Sequence, residues 1–106
     1  MNDTNIEVVS VYTLEHAIAD GVLVEVFKKA WPKLTNGKLI VATSHIFNEI
    51  SLAGLLEIWN EFVDWRKNVM PALPEEDQLF HTSMNSKTVW VMEDGQAFTI
   101  MYPEDY

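Results

Sequence analysis

A long amphipathic segment, residues 52–70, constrains the fold more than any other part of the sequence. Pro71 and Pro74 end it, because proline lacks a backbone donor and disfavours helical geometry in the residue before it. On a wheel of about 100° per residue, the polar side chains share an arc of roughly 120° and apolar side chains occupy the remainder. We therefore expect a central helix, packed on a sheet and also against another helix or a second subunit. The polar arc consists of Glu57, Asn60, Glu61, Asp64, Lys67 and Asn68.

Shorter elements precede this helix. Thr13 is suited to cap a helix over residues 14–19, and Asp20 with Gly21 can close that helix in a left-handed turn. Residues 22–27 are dominated by β-branched side chains and predict a strand. Pro32 excludes a long helix over residues 28–34, which leaves the conformation of that segment open.

A turn at residues 35–37 is followed by a short apolar run at residues 39–42. Ser44 is suited to cap a second helix over residues 45–50. Beyond the long helix, residues 71–77 form an acidic, proline-containing loop, and the remainder of the chain reads as strands.

The predicted C-terminal strands cover residues 78–84, 87–92 and 96–102. Asn85-Ser86 and Asp94-Gly95 have the chemistry of hairpin turns, and Asp94-Gly95 is the clearer case because Asp-Gly readily adopts positive φ. The predicted fold is therefore α+β, with a short N-terminal helix and strand and a C-terminal antiparallel β-meander. Two further helices lie between them, of which one is long and central.

Composition indicates one domain over residues 1–106, with 48% hydrophobic residues available for a core. The chain contains no cysteine, which removes disulfides, thiol nucleophiles and zinc fingers and fits a reducing cytoplasm. No apolar run approaches about 18 residues, and residues 1–10 lack the pattern of a signal peptide. We expect a cytoplasmic protein without membrane contact.

Charge is distributed unevenly along the sequence. Sixteen acidic residues oppose seven basic ones, and the formal net charge is −9. Such a field repels nucleic acid and anionic lipid and attracts basic partners, including nucleoprotein complexes. The sequence therefore argues against direct nucleic-acid binding. Four of the seven basic residues lie in one acid-free segment: Lys28, Lys29, Lys33 and Lys38.

Three carboxylates of the long helix, those of Glu57, Glu61 and Asp64, fall on one face and extend over about 10 Å. One interpretation is a solvated helix face. A second is nucleic-acid mimicry, because adjacent carboxylates would lie about 6 and 4.5 Å apart along the helix axis, nearer to the roughly 3.4 Å spacing of a single strand than to the roughly 1.7 Å of a duplex. A duplex mimic would also need acidic residues outside the helix. The candidates for partner binding there are Glu75, Glu76, Asp77, Glu93 and Asp94.

Catalytic and metal-binding patterns are weak. His45 and Glu49 are spaced i, i+4 and could share a metal ligand, but a closed site needs three or four ligands. Neither a glycine-rich phosphate loop nor a nucleophile elbow is present, so the sequence predicts no enzyme, no cofactor and no metal. We expect Arg66 either to pair with a buried carboxylate or to extend its charged group to solvent at the helix end, and Trp59 and Trp90 to lie in the core. Trp31 is expected to pack inward from the lysine segment.

Three sequence blocks together carry a family resemblance. The first runs from Tyr12-Thr13 through Ala17-Ile18-Ala19-Asp20-Gly21 to Val22-Leu23-Val24-Glu25-Val26, the second is Val41-Ala42-Thr43, and the third extends from Phe98 to Asp105. The chain resembles a group of uncharacterised small proteins found mostly on plasmids, phages and integrated elements of bacteria. In those proteins the first block usually reads Tyr-Thr-x-x-x-Ala-Ile-x-Asp-Gly-Val-Leu-Val-Asp-Val. The resemblance implies a mobile genetic element as the setting and implies no activity.

These observations support three hypotheses about function. The first is an acidic, non-enzymatic interaction protein of a mobile genetic element that inhibits a host defence complex by nucleic-acid mimicry, of the anti-CRISPR or anti-restriction type. Its partner would be a basic protein or nucleoprotein of the host. The second is a homodimeric structural or regulatory subunit in which the long helix packs across a two-fold axis. The third is a small metal-dependent hydrolase.

Overall fold

The computed structural model describes residues 13–106. The absence of a signal-peptide pattern and the first residue of the family-like block, Tyr12, concern residues outside this range. The helices are α1 (Leu14–Ala19), α2 (Pro32–Thr35), α3 (Ser44–Glu49) and α4 (Leu52–Asn68). The strands are β1 (Leu23–Glu25), β2 (Leu39–Thr43), β3 (Phe80–Met84), β4 (Lys87–Glu93) and β5 (Ala97–Met101). Single 3-10 turns cover Met70–Ala72, Glu75–Asp77 and Pro103–Asp105. The predicted α+β fold is confirmed.

Within residues 13–106, α1, α3 and α4 begin at side-chain caps, whereas α2 does not. The Thr13 hydroxyl accepts a hydrogen bond from His16 N in α1, and the Ser51 hydroxyl accepts one from Gly54 N in α4. Both satisfy backbone donors that the first turn of a helix leaves unpaired. In α2, Pro32 occupies the first helical position, where its missing donor does no harm.

The five strands form one mixed sheet in the order β1-β2-β5-β4-β3. The predicted C-terminal meander is confirmed, since β3, β4 and β5 pair antiparallel. Strand β2 inserts next to β5 and pairs with it in parallel, with Leu39 opposite Ala97 and Ala42 opposite Ile100. The sequence did not indicate this pairing, which joins the two halves of the chain.

The core lies between one face of the sheet and the helices α3 and α4. The α4 side chains of Ile58, Trp59 and Phe62 are almost completely buried against it. Trp59 makes edge contacts with Phe98 of β5 and with Trp31, at centroid distances of 5.4 and 5.8 Å. The predictions that Trp59 is a core residue and that Trp31 packs inward are both confirmed.

Two local predictions were wrong. Thr43, and not Ser44, caps α3, because the Thr43 hydroxyl accepts from Ile46 N. The clearer hairpin turn is Asn85-Ser86, whose residues both adopt positive φ, 55° and 68°, as a type I′ turn requires. Gly95 is not in the left-handed region; instead the Asp94 carboxylate accepts from Gln96 N and Ala97 N.

The prediction for Trp90 was also wrong. This side chain is half-buried and makes an edge contact with Tyr106, at 6.1 Å between ring centroids. Trp90 alternates with the buried Val89 and Val91 along β4, so it lies on the sheet face opposite α4.

Candidate interaction surface

Helix α4 lies along the edge strand β3 and runs antiparallel to it. At one end Gly54 adjoins the side chain of Met84. At the other end Phe62 and Trp65 contact Phe80, at centroid distances of 5.6 and 5.5 Å. The apolar side of α4 is therefore fixed on the sheet, and its polar side extends outward beside β3.

Three carboxylates follow the exposed side of α4, and we call Glu57, Glu61 and Asp64 the acidic ridge. All three residues are exposed. Glu61 Oε1 accepts from the Thr82 hydroxyl at 2.7 Å, which fixes this carboxylate beside β3. Asp64 accepts from Asn68 Nδ2 at 2.8 Å, one turn further along α4. Within residues 13–106, none of the three forms an ion pair, so their negative charges are uncompensated there.

A second exposed acidic group, Glu75–Asp77, forms a 3-10 turn after α4. Gln78 holds this connection in place, because its Nε2 donates to the carbonyl oxygens of Met70 and Leu73. Glu75, Glu76 and Asp77 are likewise outside every ion pair of the described range. They add three charges beyond the C-terminal end of α4.

The remaining two candidates have structural roles. Arg66 donates from Nε and Nη2 to the two oxygens of Glu93, at 2.9 and 3.0 Å. Lys38 also donates to Glu93, at 2.9 Å. The Arg66 hydrogen bonds, together with the Lys38 bond, hold the pKa of Glu93 below its usual value against the opposing effect of burial. Arg66 thus has its expected carboxylate partner, while Asp94 accepts the backbone bonds of the β4–β5 turn.

A polar network that the sequence did not reveal ties α3 to the C-terminal turn. His45 Nδ1 lies 2.9 Å from Asp105 Oδ1, and His45 Nε2 lies 3.3 Å from Glu49 Oε2. Glu49 Oε1 accepts from Tyr102 Oη at 2.8 Å and from Lys87 Nζ at 2.9 Å. The i, i+4 spacing of His45 and Glu49 was the single signal in the sequence, because the other three members come from the distant C-terminal strands and turn.

Titration of this network follows from its contacts. The hydrogen bond to Asp105 raises the pKa of His45. Burial raises the pKa of Tyr102 to about 12, and the bond to Glu49 adds to that effect. Both imidazole nitrogens face carboxylates, and no group of three or more potential ligands that could hold a metal ion occurs among the described residues. The network therefore acts as a clasp between elements.

The lysine segment, residues 28–38, is only partly free of contacts with the rest of the fold. Lys38 is engaged with Glu93, and its Nζ also lies 5.1 Å from the Phe98 ring centroid. A cavity of about 450 Å³ next to this segment is lined mainly by apolar groups, with Lys29, Lys38 and Glu25 at its wall. The lysine segment is thus a basic part of the sequence separate from the acidic ridge, and its Trp31 packs inward.

Fold and surface together define an α+β protein in which a row of carboxylates lies beside the edge strand of a mixed sheet and forms no ion pair within residues 13–106. Comparisons with protein-family models, with curated proteins and with solved structures give no match for this chain. Within residues 13–106, no helix has the length and apolar character needed to cross a membrane.

Proposed function

We propose that this chain is an acidic, non-enzymatic interaction protein that binds a basic protein or nucleoprotein complex through the acidic ridge. The observation that carries the proposal is the exposure of Glu57, Glu61 and Asp64 without a cationic partner in the described range. Arg66 and Lys38 both bind Glu93, and Lys67, three residues after Asp64 on α4, forms no ion pair within residues 13–106. An uncompensated row of charge on a rigid helix attracts a basic surface at long range.

The spacing of the ridge favours a partner that ordinarily holds a nucleic-acid strand. Adjacent ridge carboxylates lie about 6 and 4.5 Å apart along the helix axis, which is nearer to the roughly 3.4 Å charge spacing of a single strand than to the roughly 1.7 Å of a duplex. Glu75, Glu76 and Asp77 add charge beyond the helix end. The resemblance of the first sequence block to proteins of plasmids and phages supports a host defence complex as the target. Anti-CRISPR or anti-restriction inhibition is the specific form of this proposal, in the cytoplasm of the host.

The test compares the wild-type protein with the triple variant E57K/E61K/D64K. Binding is measured by biolayer interferometry against a purified CRISPR effector bound to its guide RNA and against a restriction nuclease. We expect wild-type protein to bind one of them in a salt-sensitive manner, and the triple reversal to weaken that binding at least tenfold. Each substitution replaces an attraction between a ridge carboxylate and the basic partner with a repulsion between two positive charges, and this weakens association most at low salt.

A matched pair of single reversals controls for net charge. E57K alters the ridge, whereas E15K alters an exposed position on α1, and both change the net charge by the same amount. We expect E57K to weaken binding several-fold more than E15K. Equal effects of the two substitutions, or unchanged affinity in the triple variant, would contradict binding through the ridge.

A homodimer is the second candidate, and a specific observation favours it. Leu52 and Leu56, spaced i, i+4 on α4, are 59% and 37% exposed. The wide apolar arc of α4 predicted burial on two sides, and a second subunit packed on these two leucines would supply the second side. Sedimentation equilibrium at micromolar concentration distinguishes the two candidates. A monomer would exclude the dimer, and a dimer that L52E/L56E converts to a monomer would establish it.

A further inference from the structure

Within residues 13–106, no backbone segment pairs with the outer edge of β3. Strand β3 is last in the sheet order, and its five residues pair with β4 in continuous register without a bulge. It contains neither proline nor lysine, the residues that commonly protect a sheet edge from pairing with other chains. The opposite edge is formed by β1, which has only three residues. Of the two edges, β3 offers the longer template for another strand.

The hairpin geometry identifies which backbone groups point outward. The two-residue turn Asn85-Ser86 makes Met84 and Lys87 the first hydrogen-bonded pair, and pairing then alternates along the ladder. Consequently Thr82 and Phe80 exchange bonds with β4, whereas the N–H and C=O groups of His81 and Ser83 face away from the sheet. Both of these residues are exposed. Two donors and two acceptors are thus available along the edge.

The acidic ridge borders the same edge. Glu61 is bonded directly to Thr82, the residue between the two outward-facing ones. Adjacent ridge carboxylates are separated by about 6 and 4.5 Å along the helix, while alternate side chains of a strand are about 6.7 Å apart. A strand added at β3 would therefore direct every second side chain toward the ridge, at nearly the spacing of its carboxylates.

We infer that β3 receives an extended, basic segment of the partner as a sixth strand. Lysine or arginine at alternate positions of that segment pairs with Glu57, Glu61 and Asp64, while its backbone bonds to His81 and Ser83. Charge complementarity selects this occupant over a second copy of the chain, because two copies paired through β3 would bring two acidic ridges together. The inference rests on the proposed function, in which the ridge charges attract the partner. It adds hydrogen bonds between the backbone of β3 and the backbone of the partner segment.

Synthetic peptides test the backbone pairing directly. The probe is a capped heptapeptide in which lysine alternates with valine or threonine, and two isomers carry N-methyl groups on alternate amides, in one register or the other. The isomers have identical charge, but only one of them blocks the amides that face β3. Isothermal titration is expected to show at least tenfold weaker binding for one isomer than for the other. Equal affinity of both isomers would overturn the inference.

Variants of the protein provide a second measurement. S83P removes an outward-facing N–H that β4 does not use, and S83V keeps that N–H in a side chain suited to strands. We expect S83P to weaken binding of the unmethylated peptide at least fivefold and S83V to leave it within twofold. If S83P unfolds, amide exchange of the wild-type protein decides instead. Peptide should slow exchange at His81 and Ser83 and leave Thr82 unchanged, and unaltered exchange at both residues would overturn the inference.

The two proposals fail in different ways. If N-methylation has no effect but E57K/E61K/D64K still weakens binding to the defence complex, the ridge functions without strand addition. If the triple variant binds that complex with unchanged affinity, the proposed function fails whatever the peptides show. If sedimentation shows a dimer that S83P abolishes, the edge belongs to a second copy and the inference is wrong.

Discussion

At the scale of single residues, the segment after β1 is unusual in its backbone. Phe27, Lys29 and Trp31 adopt φ values of 52°, 60° and 51°, a region that is unfavourable for side chains other than glycine by roughly 1–2 kcal/mol. The aromatic pair has a clear compensation, since Phe27 contacts Trp31 and Trp31 contacts the buried Trp59. Lys29 is exposed. The backbone strain at Lys29 is therefore the strain that a substitution can relieve without loss of packing.

We predict that K29G stabilises the protein by up to about 1 kcal/mol. Ala30 N donates to the carbonyl of Phe27, which makes Lys29 the third residue of a turn whose left-handed position favours glycine. The relief exceeds the added freedom of glycine in the unfolded chain, roughly 0.5–1 kcal/mol. Urea unfolding measures the difference.

The neighbouring lysine provides the control. Lys28 is also exposed and does not have positive φ, so K28G adds only unfolded-state freedom. It should destabilise the protein by about 0.5–1 kcal/mol. The same sign for both substitutions would show that strain at Lys29 is negligible.

At the scale of elements, the Thr43 hydroxyl links the start of α3 to the C-terminal turn, in addition to the contacts of His45 and Glu49. Thr43 Oγ1 accepts from Ile46 N at 3.3 Å and donates to Asp105 Oδ2 at 2.9 Å. A single buried side chain thus caps a helix and anchors the C-terminal turn. Ser44, which the sequence favoured as the cap, is the first residue of the helix itself.

We predict that T43A lowers the free energy of unfolding by about 1–2 kcal/mol, because it removes the cap and leaves Asp105 without its hydroxyl donor. T43S retains the hydroxyl and should recover most of this loss. S44A should change stability by less than about 0.5 kcal/mol. Thermal unfolding followed by circular dichroism gives all three values, and a larger effect of S44A than of T43A would assign the cap to Ser44.

Local signals account for what the sequence predicted correctly. Caps, prolines and the 3.6-residue period define α1 and α4, and the same period placed Glu57, Glu61 and Asp64 on one exposed face. Pairings between distant segments have no local signal. The parallel ladder of β2 with β5 and the contacts of His45 with Asp105 therefore emerged only in the fold. The ion pair between Glu93 and Lys38 had no signal in the sequence for the same reason, since Lys38 is distant in sequence.

At the scale of the whole molecule, the ion pairs divide the acidic residues into two classes. Glu49, Glu93 and Asp105 connect elements of the fold through His45, Lys38, Arg66 and Lys87. The carboxylates of the ridge connect nothing within residues 13–106 except Thr82 and Asn68. Reversal of the ridge should therefore disturb binding far more than folding.

The clasp around His45 predicts a dependence of stability on pH. The Asp105 bond, opposed by burial and assisted by the charges of Glu49 and Glu104, raises the pKa of His45 above 6.5. Protonated His45 therefore stabilises the folded protein. Its stabilising effect is complete below the unfolded-state pKa of about 6.5 and is lost as the pH rises through the higher folded-state pKa. Urea midpoints should therefore fall between about pH 6 and pH 8.5.

H45Q identifies the source of that slope, because glutamine keeps a polar side chain that does not titrate. The difference in midpoint between wild type and H45Q should be largest near about pH 6 and should shrink toward pH 8.5. A constant difference across this range would show that His45 keeps the same protonation state in the folded and unfolded chains.

The parallel pairing of β2 with β5 also determines when the sheet can be completed during synthesis. β5 leaves the ribosome after the other four strands, yet it lies between β2 and β4. Until it emerges, β2 has an unpaired inner edge and the apolar side of α4 lacks much of its support. Because this central strand is made late, the sheet depends on contacts between segments that are distant in sequence. Such contacts form slowly, and a chain that waits for them is exposed to aggregation. Conditions that slow elongation near residue 90 should therefore reduce the yield of folded protein.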